Sequence, residues 1–261
     1  MRACCCVPAQ WNRRMKLQIL SDLHLEHHRD YGEMLIASLD LSRVDLVLLA
    51  GDIVGFGAHS LTALGKMRSL CAKAAGTVLY IPGNHEYYGT SPPFVDQNLL
   101  LLEREIENLQ VLRSGVIFEQ EGRHFLGDTL WFPDDPLNPV YAPGLNDFAL
   151  IQGFIPWVYE RYAACRAFLD QELRQGDIVL THHLPSLSLI APQFAGSPLN
   201  RFFAADLTDL ILERKPALWV CGHTHSSIDT SIGETRILCN PYGYPTESQA
   251  EKFDPRLLVD V

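Results

Sequence analysis

Seven side chains suited to holding metal ions recur at one kind of place in this sequence, directly after an apolar run. Asp22 and His24 close LQILSDLH, Asp52 follows DLVLLAG, Asn84 follows TVLYIPG, His182 ends IVLTH, and His223 and His225 end ALWVCGHTH. Each preceding run has the composition of a buried strand. In α/β proteins ligands bind beyond the carboxyl ends of strands, so five strand ends are expected to converge on one site. Extended backbone would place residues i and i+2 on the same side, pairing Asp22 with His24 and His223 with His225. An aspartate after one strand is ordinarily a turn or cap residue. Accident has little reason to repeat itself at five strand ends.

The donor set implies a chemistry. Asp22, His24 and His225 could hold one ion, Asn84, His182 and His223 a second, and Asp52 could join the two through its two oxygens. Nitrogen and oxygen donors without thiolate suit two divalent or trivalent ions of the Mn, Fe or Zn kind, not an all-oxygen Ca²⁺ cage. Two divalent ions against two aspartates leave a surplus of about +2, or about +1 with a bridging hydroxide. Such a site attracts an anion, and phosphate esters fit. Of the neighbours His182 and His183, only one should face the ions, because adjacent strand residues point to opposite faces.

The elements that must position these residues alternate. Strands are expected at Lys16 to Ser21, Asp45 to Ala50, Thr77 to Ile81, Ile178 to Thr181 and Ala217 to Cys221. Helices are expected at Ser60 to Ala75, Phe94 to Asn108, Trp157 to Gln175 and Ala204 to Arg214, the third stopped by Gly176 as a C′ glycine. Short strands are read at Val116 to Phe118, His124 to Leu126 and Thr129 to Phe132. A Pro- and Asn-rich stretch from Pro133 to Asn146 follows, long enough to suggest a functional loop. Ser227 to Val261 reads as β-hairpin material. The fold class is α/β, in one domain over residues 15–261 with a flexible extension at 1–14.

Composition bounds the rest. With 47% hydrophobic and 20% charged residues, a chain of 261 residues can build a sizeable core and is not a disordered polymer. A net charge of −10 argues against a basic nucleic-acid surface, and no apolar stretch is long enough for a membrane helix. Seven cysteines, three of them the consecutive Cys4, Cys5 and Cys6, form no disulfide framework and point to a reducing, cytoplasmic setting. Met1 to Arg14 lacks the apolar segment of a secretory signal.

Taken in order, D-x-H, G-D, G-N-H-E, a later H and G-H-T-H resemble the calcineurin-like metallophosphoesterase superfamily from about Leu17 to His225. The resemblance implies a four-layer sandwich of two mixed β-sheets flanked by helices, and the ligand assignment given above. It also implies that His85 is no metal ligand but protonates the leaving alkoxide or binds phosphate, while a metal-bridging hydroxide attacks. One departure narrows the substrate. Protein phosphatases of the superfamily carry G-D-x-x-D-R-G, whereas GDIVGFG puts Gly55 and Phe56 where the His-orienting Asp and the phosphate-gripping Arg would stand. His85 must therefore find another partner, a backbone carbonyl or Glu86. Near the site, Tyr87, Tyr88, Trp131, Phe132, Asn146, Asp147 and the segment NPYGYP (Asn240 to Pro245) are candidates to reach over the metals, with Asn84, His85, Tyr88 and Asn146 as substrate contacts. His27, His28, His59 and His124 are read as surface or supporting residues.

The expected function is a phosphodiesterase acting on a small organic or nucleotide phosphate. The alternatives are a phosphomonoesterase, a single-strand nuclease of the same superfamily, or a non-catalytic metal-bearing binding module. No membrane partner is expected, nucleic acid is disfavoured, and the sequence leaves the oligomeric state open.

Overall fold

Strands β1 (Lys16–Leu20), β2 (Leu46–Ala50), β3 (Thr77–Ile81) and β4 (Leu109–Val111) lie side by side and parallel in that order. In β2, Leu46, Leu48 and Ala50 enter a core shared with a second sheet, while Val47 and Leu49 face the opposite way under helices. In β3, Leu79 and Ile81 turn to the shared core and Val78 and Tyr80 to the helices. A strand covered on both faces has no polar side, which is why these runs are uninterrupted in the sequence.

The computed structural model describes residues 14–57, 60–247 and 252–261. Cys4 to Cys6, the rest of the expected extension apart from Arg14, and His59 lie outside the described residues. In the second sheet, β5 (Ile117–Gln120), β6 (Arg123–Asp128), β7 (Ile178–Thr181) and β8 (Leu218–Cys221) are consecutive neighbours, and β9 (Ile228–Ile232) lies outside β10 (Thr235–Cys239), which pairs with β8. The inner strands β6, β7, β8 and β10 are parallel, and β5 and β9 are antiparallel edges. The final strand, β11 (Leu258–Asp260), does not extend the β9–β10 hairpin. It crosses to the first sheet and pairs antiparallel with β1.

Helices α1 (Glu33–Ser38), α2 (Ser60–Cys71) and α3 (Pro92–Glu105) cover the outer face of the first sheet through Ile36, Met67 and Leu99. Two short helices follow, α4 (Asn138–Tyr141) within the stretch read as loop and α5 (Asn146–Leu150) starting at its last residue. Helices α6 (Phe154–Glu172) and α7 (Thr208–Arg214) cover the second sheet through Leu169 and Ile211. The result is a four-layer sandwich of two mixed sheets flanked by helices. Among the described residues, no helix is long and apolar enough to cross a membrane.

Several boundaries differ from expectation for local reasons. Helix α3 starts two residues early because Ser91 precedes two prolines, and Pro92 suits a first helical position that needs no N–H partner. Helix α6 stops at Glu172, and Gly176 (φ 87°) sits instead in the next turn, donating its N–H to Lys215 O at 3.1 Å. Ala204 and Ala205 are not helical: Leu184 forms an isolated bridge with Ala204 and accepts the Ala205 N–H. No strand covers Thr129 to Phe132. Leu130 and Trp131 adopt φ of 73° and 60°, which ends the pleat after Asp128.

Candidate metal centre

The expected donors do converge, but not through strand alternation. Asp22, His24, Asp52, His223 and His225 all have left-handed backbone, with φ of 52°, 44°, 54°, 70° and 49°. Such a conformation costs a non-glycine residue about 1–2 kcal/mol and survives only where its surroundings over-determine it. Here the strand ends are laced to one another. Asp22 N–H donates to Gly51 O (3.0 Å), His24 N–H to Asp52 O (2.9 Å), Gly222 N–H to His182 O (2.9 Å) and His223 N–H to Asp22 Oδ1 (2.8 Å). Two glycines allow the close approach. A Cβ on Gly51 (φ 84°) would lie 2.4 Å from His182 Nδ1, and one on Gly83 would lie 2.2 Å from Asp52 Oδ1.

Two groups of donor atoms result, Asp22 with His24 and His225, and Asp52 with His182 and His223; within each, the atoms lie within 4.8 Å of one another. In the first, the Nε2 atoms of His24 and His225 are 2.9 Å apart, and Asp22 Oδ1 is 3.7 Å from His225 Nε2. In the second, Asn84 Oδ1 lies 3.1 Å from both His182 Nε2 and His223 Nδ1. Asp52 stands between the groups: Oδ1 accepts the His85 N–H at 2.8 Å, leaving Oδ2 3.3 Å from His182 Nε2 and 3.8 Å from His24 Nε2.

These residues fit a pair of cations. One N–H can join two facing imidazole nitrogens, whereas a cation satisfies both lone pairs, and Asp22 Oδ2 is buried with no hydrogen-bond partner. The tautomers agree. Ala50 O lies 2.8 Å from His182 Nδ1 and Glu247 Oε2 lies 2.7 Å from His225 Nδ1, so each ring, when neutral, would offer its Nε2 lone pair to the centre. Burial lowers the pKa of His24, and that of His223 falls well below the usual range. Both rings are thus held neutral, as ligands must be. Burial would raise the Asp52 pKa, but His182, His85 and His24 reverse this and hold it well below the usual carboxylate range.

His183 packs behind the centre, its ring 4.2 Å from that of His223 and 5.1 Å from that of Trp131, with Nδ1 3.2 Å from Thr129 O. Trp131 and Phe132, expected to reach over the metals, are buried in the core together with Tyr87. His28 bonds Leu23 O, and His124 sits on β6 beside Asp177.

His85 does find a partner, though not Glu86. The Glu86 carboxylate is consumed by the backbone, accepting N–H groups of Asp52, Ile53, Val54 and Gly83 as well as the Tyr80 hydroxyl. Glu26 takes the place instead: its Oε1 lies 3.4 Å from His85 Nδ1, and its Oε2 accepts the Gly55 N–H at 3.1 Å. A carboxylate from the loop after β1 thus fills the space that the short residue at position 55 leaves. Burial opposes ionisation of Glu26, yet His24 and His85 bring its pKa down to about 2. Burial likewise opposes protonation of His85, but Asp52 and Glu26 raise its pKa. On the other side of the ring, Tyr244 Oη is 3.0 Å from His85 Nε2.

Asn84 is oriented by Asp147 and Tyr88: its Nδ2 donates to Asp147 Oδ1 and to Tyr88 Oη, both at 2.9 Å, and Tyr88 Oη in turn donates to Asp147 at 2.6 Å. A cavity of about 400 Å³ opens beside the centre, lined there by His85, Tyr88, Asn146, Tyr244 and Glu247. Sequence reasoning missed Glu26 and Glu247. The only signal for Glu26 was a carboxylate among histidines in LHLEHH.

The family model described as calcineurin-like phosphoesterase matches residues 15–227. The chain is 26% identical over 278 residues to an uncharacterized protein of Acanthamoeba polyphaga mimivirus, covering 94% of this chain and 96% of that one. It is 29% identical over 104 residues to an uncharacterized metallophosphoesterase of Helicobacter pylori, covering 38% of this chain and 28% of that one. Among solved structures, the phosphopantetheinyl hydrolase of Mycobacterium tuberculosis is similar with a TM-score of 0.70 at 19% identity, covering 94% of this chain and 95% of that one.

Proposed function

The chain belongs to the calcineurin-like phosphoesterase family, and from that premise we propose that it is a dinuclear metal-dependent phosphodiesterase. Family membership supports metal-dependent hydrolysis of phosphate esters. The observation that carries the dinuclear reading is the position of Asp52 Oδ2, within 4 Å of a histidine from each donor group. Asp22, His24 and His225 would hold one ion of the Mn, Fe or Zn kind, Asn84, His182 and His223 the other, and Asp52 would serve both. When bound, such a pair neutralises phosphoryl oxygens and makes water nucleophilic near neutral pH.

The chain's own part is to position and to move a proton. Glu26 holds the His85 ring from Nδ1, leaving Nε2, where the Tyr244 hydroxyl now sits, to protonate a departing oxygen. The diester preference is supported by charge. Among the described residues no lysine or arginine lines the cavity, so apart from His85 the second negative charge of a monoester would meet no side-chain cation there. Four described cysteines, all free and buried, fit a reducing compartment such as the cytoplasm.

Metal analysis of the purified chain, combined with bis- and mono-p-nitrophenyl phosphate hydrolysis under Mn²⁺, tests the proposal. It expects two ions per chain and faster diester cleavage. One tightly held ion, or a faster monoester, would overturn the dinuclear or the diester reading respectively.

A further inference from the structure

The cavity wall opposite the donor groups comes from residues 187–203, between β7 and α7, a stretch that carries no motif. Three 3-10 turns, Leu187–Leu189, Pro192–Phe194 and Pro198–Phe202, form an arch. Its ends are clamped by Leu184 N–H donating to Phe203 O (3.1 Å) and Leu207 N–H to Pro185 O (2.8 Å). A loop closed at its base and packed on itself is a built wall, not a tether.

That wall is apolar. Ile190, Phe194, Leu199 and Phe203 face the cavity, and Leu145 faces them from the loop before α5. Phe203 also lies against the centre, its ring 4.7 Å from that of His223, so the apolar side of the cavity reaches the residues that would hold the metals. Phe194, at the mouth, is 53% exposed. The polar groups on this side, the amides of Asn146 and Asn200 and the hydroxyl of Ser197, are all uncharged. Every charged or titratable lining residue, such as Asp52, His85 and Glu247, sits at the metal end or beside it.

We infer that the substrate is a phosphate ester with a single phosphoryl group and an uncharged, largely apolar organic group, the latter seated against Phe194 and Leu199. This rests on the phosphoesterase reading of the same site. A second phosphate or a carboxylate on the organic group would lose its water against this wall with no counter-charge. An apolar group would instead cover side chains now left to solvent. The volume lies within the usual range for small-molecule sites, about 300–1,000 Å³.

The test uses the Mn²⁺-loaded full chain and two esters, p-nitrophenyl phenyl phosphate and its analogue with a para-carboxylate on the phenyl ring. Expected is a kcat/KM at least about tenfold higher for the uncharged ester. Phe194→Lys, at an exposed position where a long polar side chain fits, should shrink that ratio to about threefold or less by improving the charged ester. In parallel, calorimetry should show phenylphosphonate binding about tenfold more tightly than 4-carboxyphenylphosphonate. Equal kcat/KM for the two esters, equal affinities for the two phosphonates, or a ratio unmoved by Phe194→Lys would overturn the inference. If neither ester is cleaved while the phosphonates are still discriminated, the phosphoesterase reading fails and the apolar wall stands.

Discussion

Asp147 accepts a hydrogen bond from Nδ2 of Asn84 at 2.9 Å, and together with Tyr88 Oη, which accepts from the same nitrogen at 2.9 Å, it turns the amide oxygen toward His182 and His223. Without Asp147, which also holds the Tyr88 hydroxyl at 2.6 Å, the amide could turn its nitrogen toward the histidines and offer a cation no lone pair. Asp147→Ala should therefore weaken the second ion about 10–100-fold while the first is little changed, as is usual when a ligand loses its support. Competition with a chromogenic chelator would show this as one weakened equivalent of two. Two unweakened equivalents would mean that Asp147 is not what orients Asn84 toward an ion.

The pairing of Glu26 with His85 predicts a dependence on the leaving group. An alkoxide departs poorly without a proton, whereas p-nitrophenolate needs little help. Glu26→Gln and His85→Ala should each lower kcat on an alkyl ester about tenfold more than on a p-nitrophenyl ester, and the double variant should lose little beyond His85→Ala alone. Parallel losses on both substrates would assign His85 to phosphate binding.

His182 gives a pH dependence whose sign can be worked out. Burial opposes its protonation, but Asp52 at 3.3 Å carries its pKa up to about 10 in the metal-free protein, from 6.5. A raised native pKa means that the folded state holds the proton more tightly than the unfolded chain does. The stabilisation is complete below 6.5 and is lost as pH rises through about 10. A metal ion at the same lone pair replaces the proton, so loaded protein should escape this loss. The Tm of chelator-treated protein is expected to fall from pH 6.5 to about 8.5, and the stabilisation by Mn²⁺ to grow over the same interval. A metal-induced shift that shrinks with pH would contradict the assignment.

The donors were legible because their cause is local: a buried parallel strand must be apolar, so any polar cluster directly after it stands out. How they converge was not legible. Asp22 and His24 are brought together by two left-handed residues and a backbone hydrogen bond to Asp52, not by the extended geometry that their spacing predicts. The supporting residues were hidden for a different reason. Glu26 and Glu247 act on His85 and His225 across 59 and 22 residues of sequence, and nothing in their own neighbourhoods marks that contact. The arch of 187–203 has no signature in the sequence because its 3-10 turns follow no period longer than one turn.

Asp52 separates a shared site from two independent ones. If its Oδ2 serves both ions, Asp52→Asn should lower the affinity for both equivalents together and reduce turnover by orders of magnitude. Asp22→Asn, whose carboxylate belongs to the first group alone, should weaken chiefly one. The amide is nearly isosteric, and the Oδ1 that accepts the His85 N–H can be kept as the carbonyl oxygen, so the fold has no reason to fail. Metal stoichiometry and stepwise affinities of the two variants, measured beside their diesterase activity, decide the matter. Loss of a single equivalent in Asp52→Asn would leave two separate mononuclear sites.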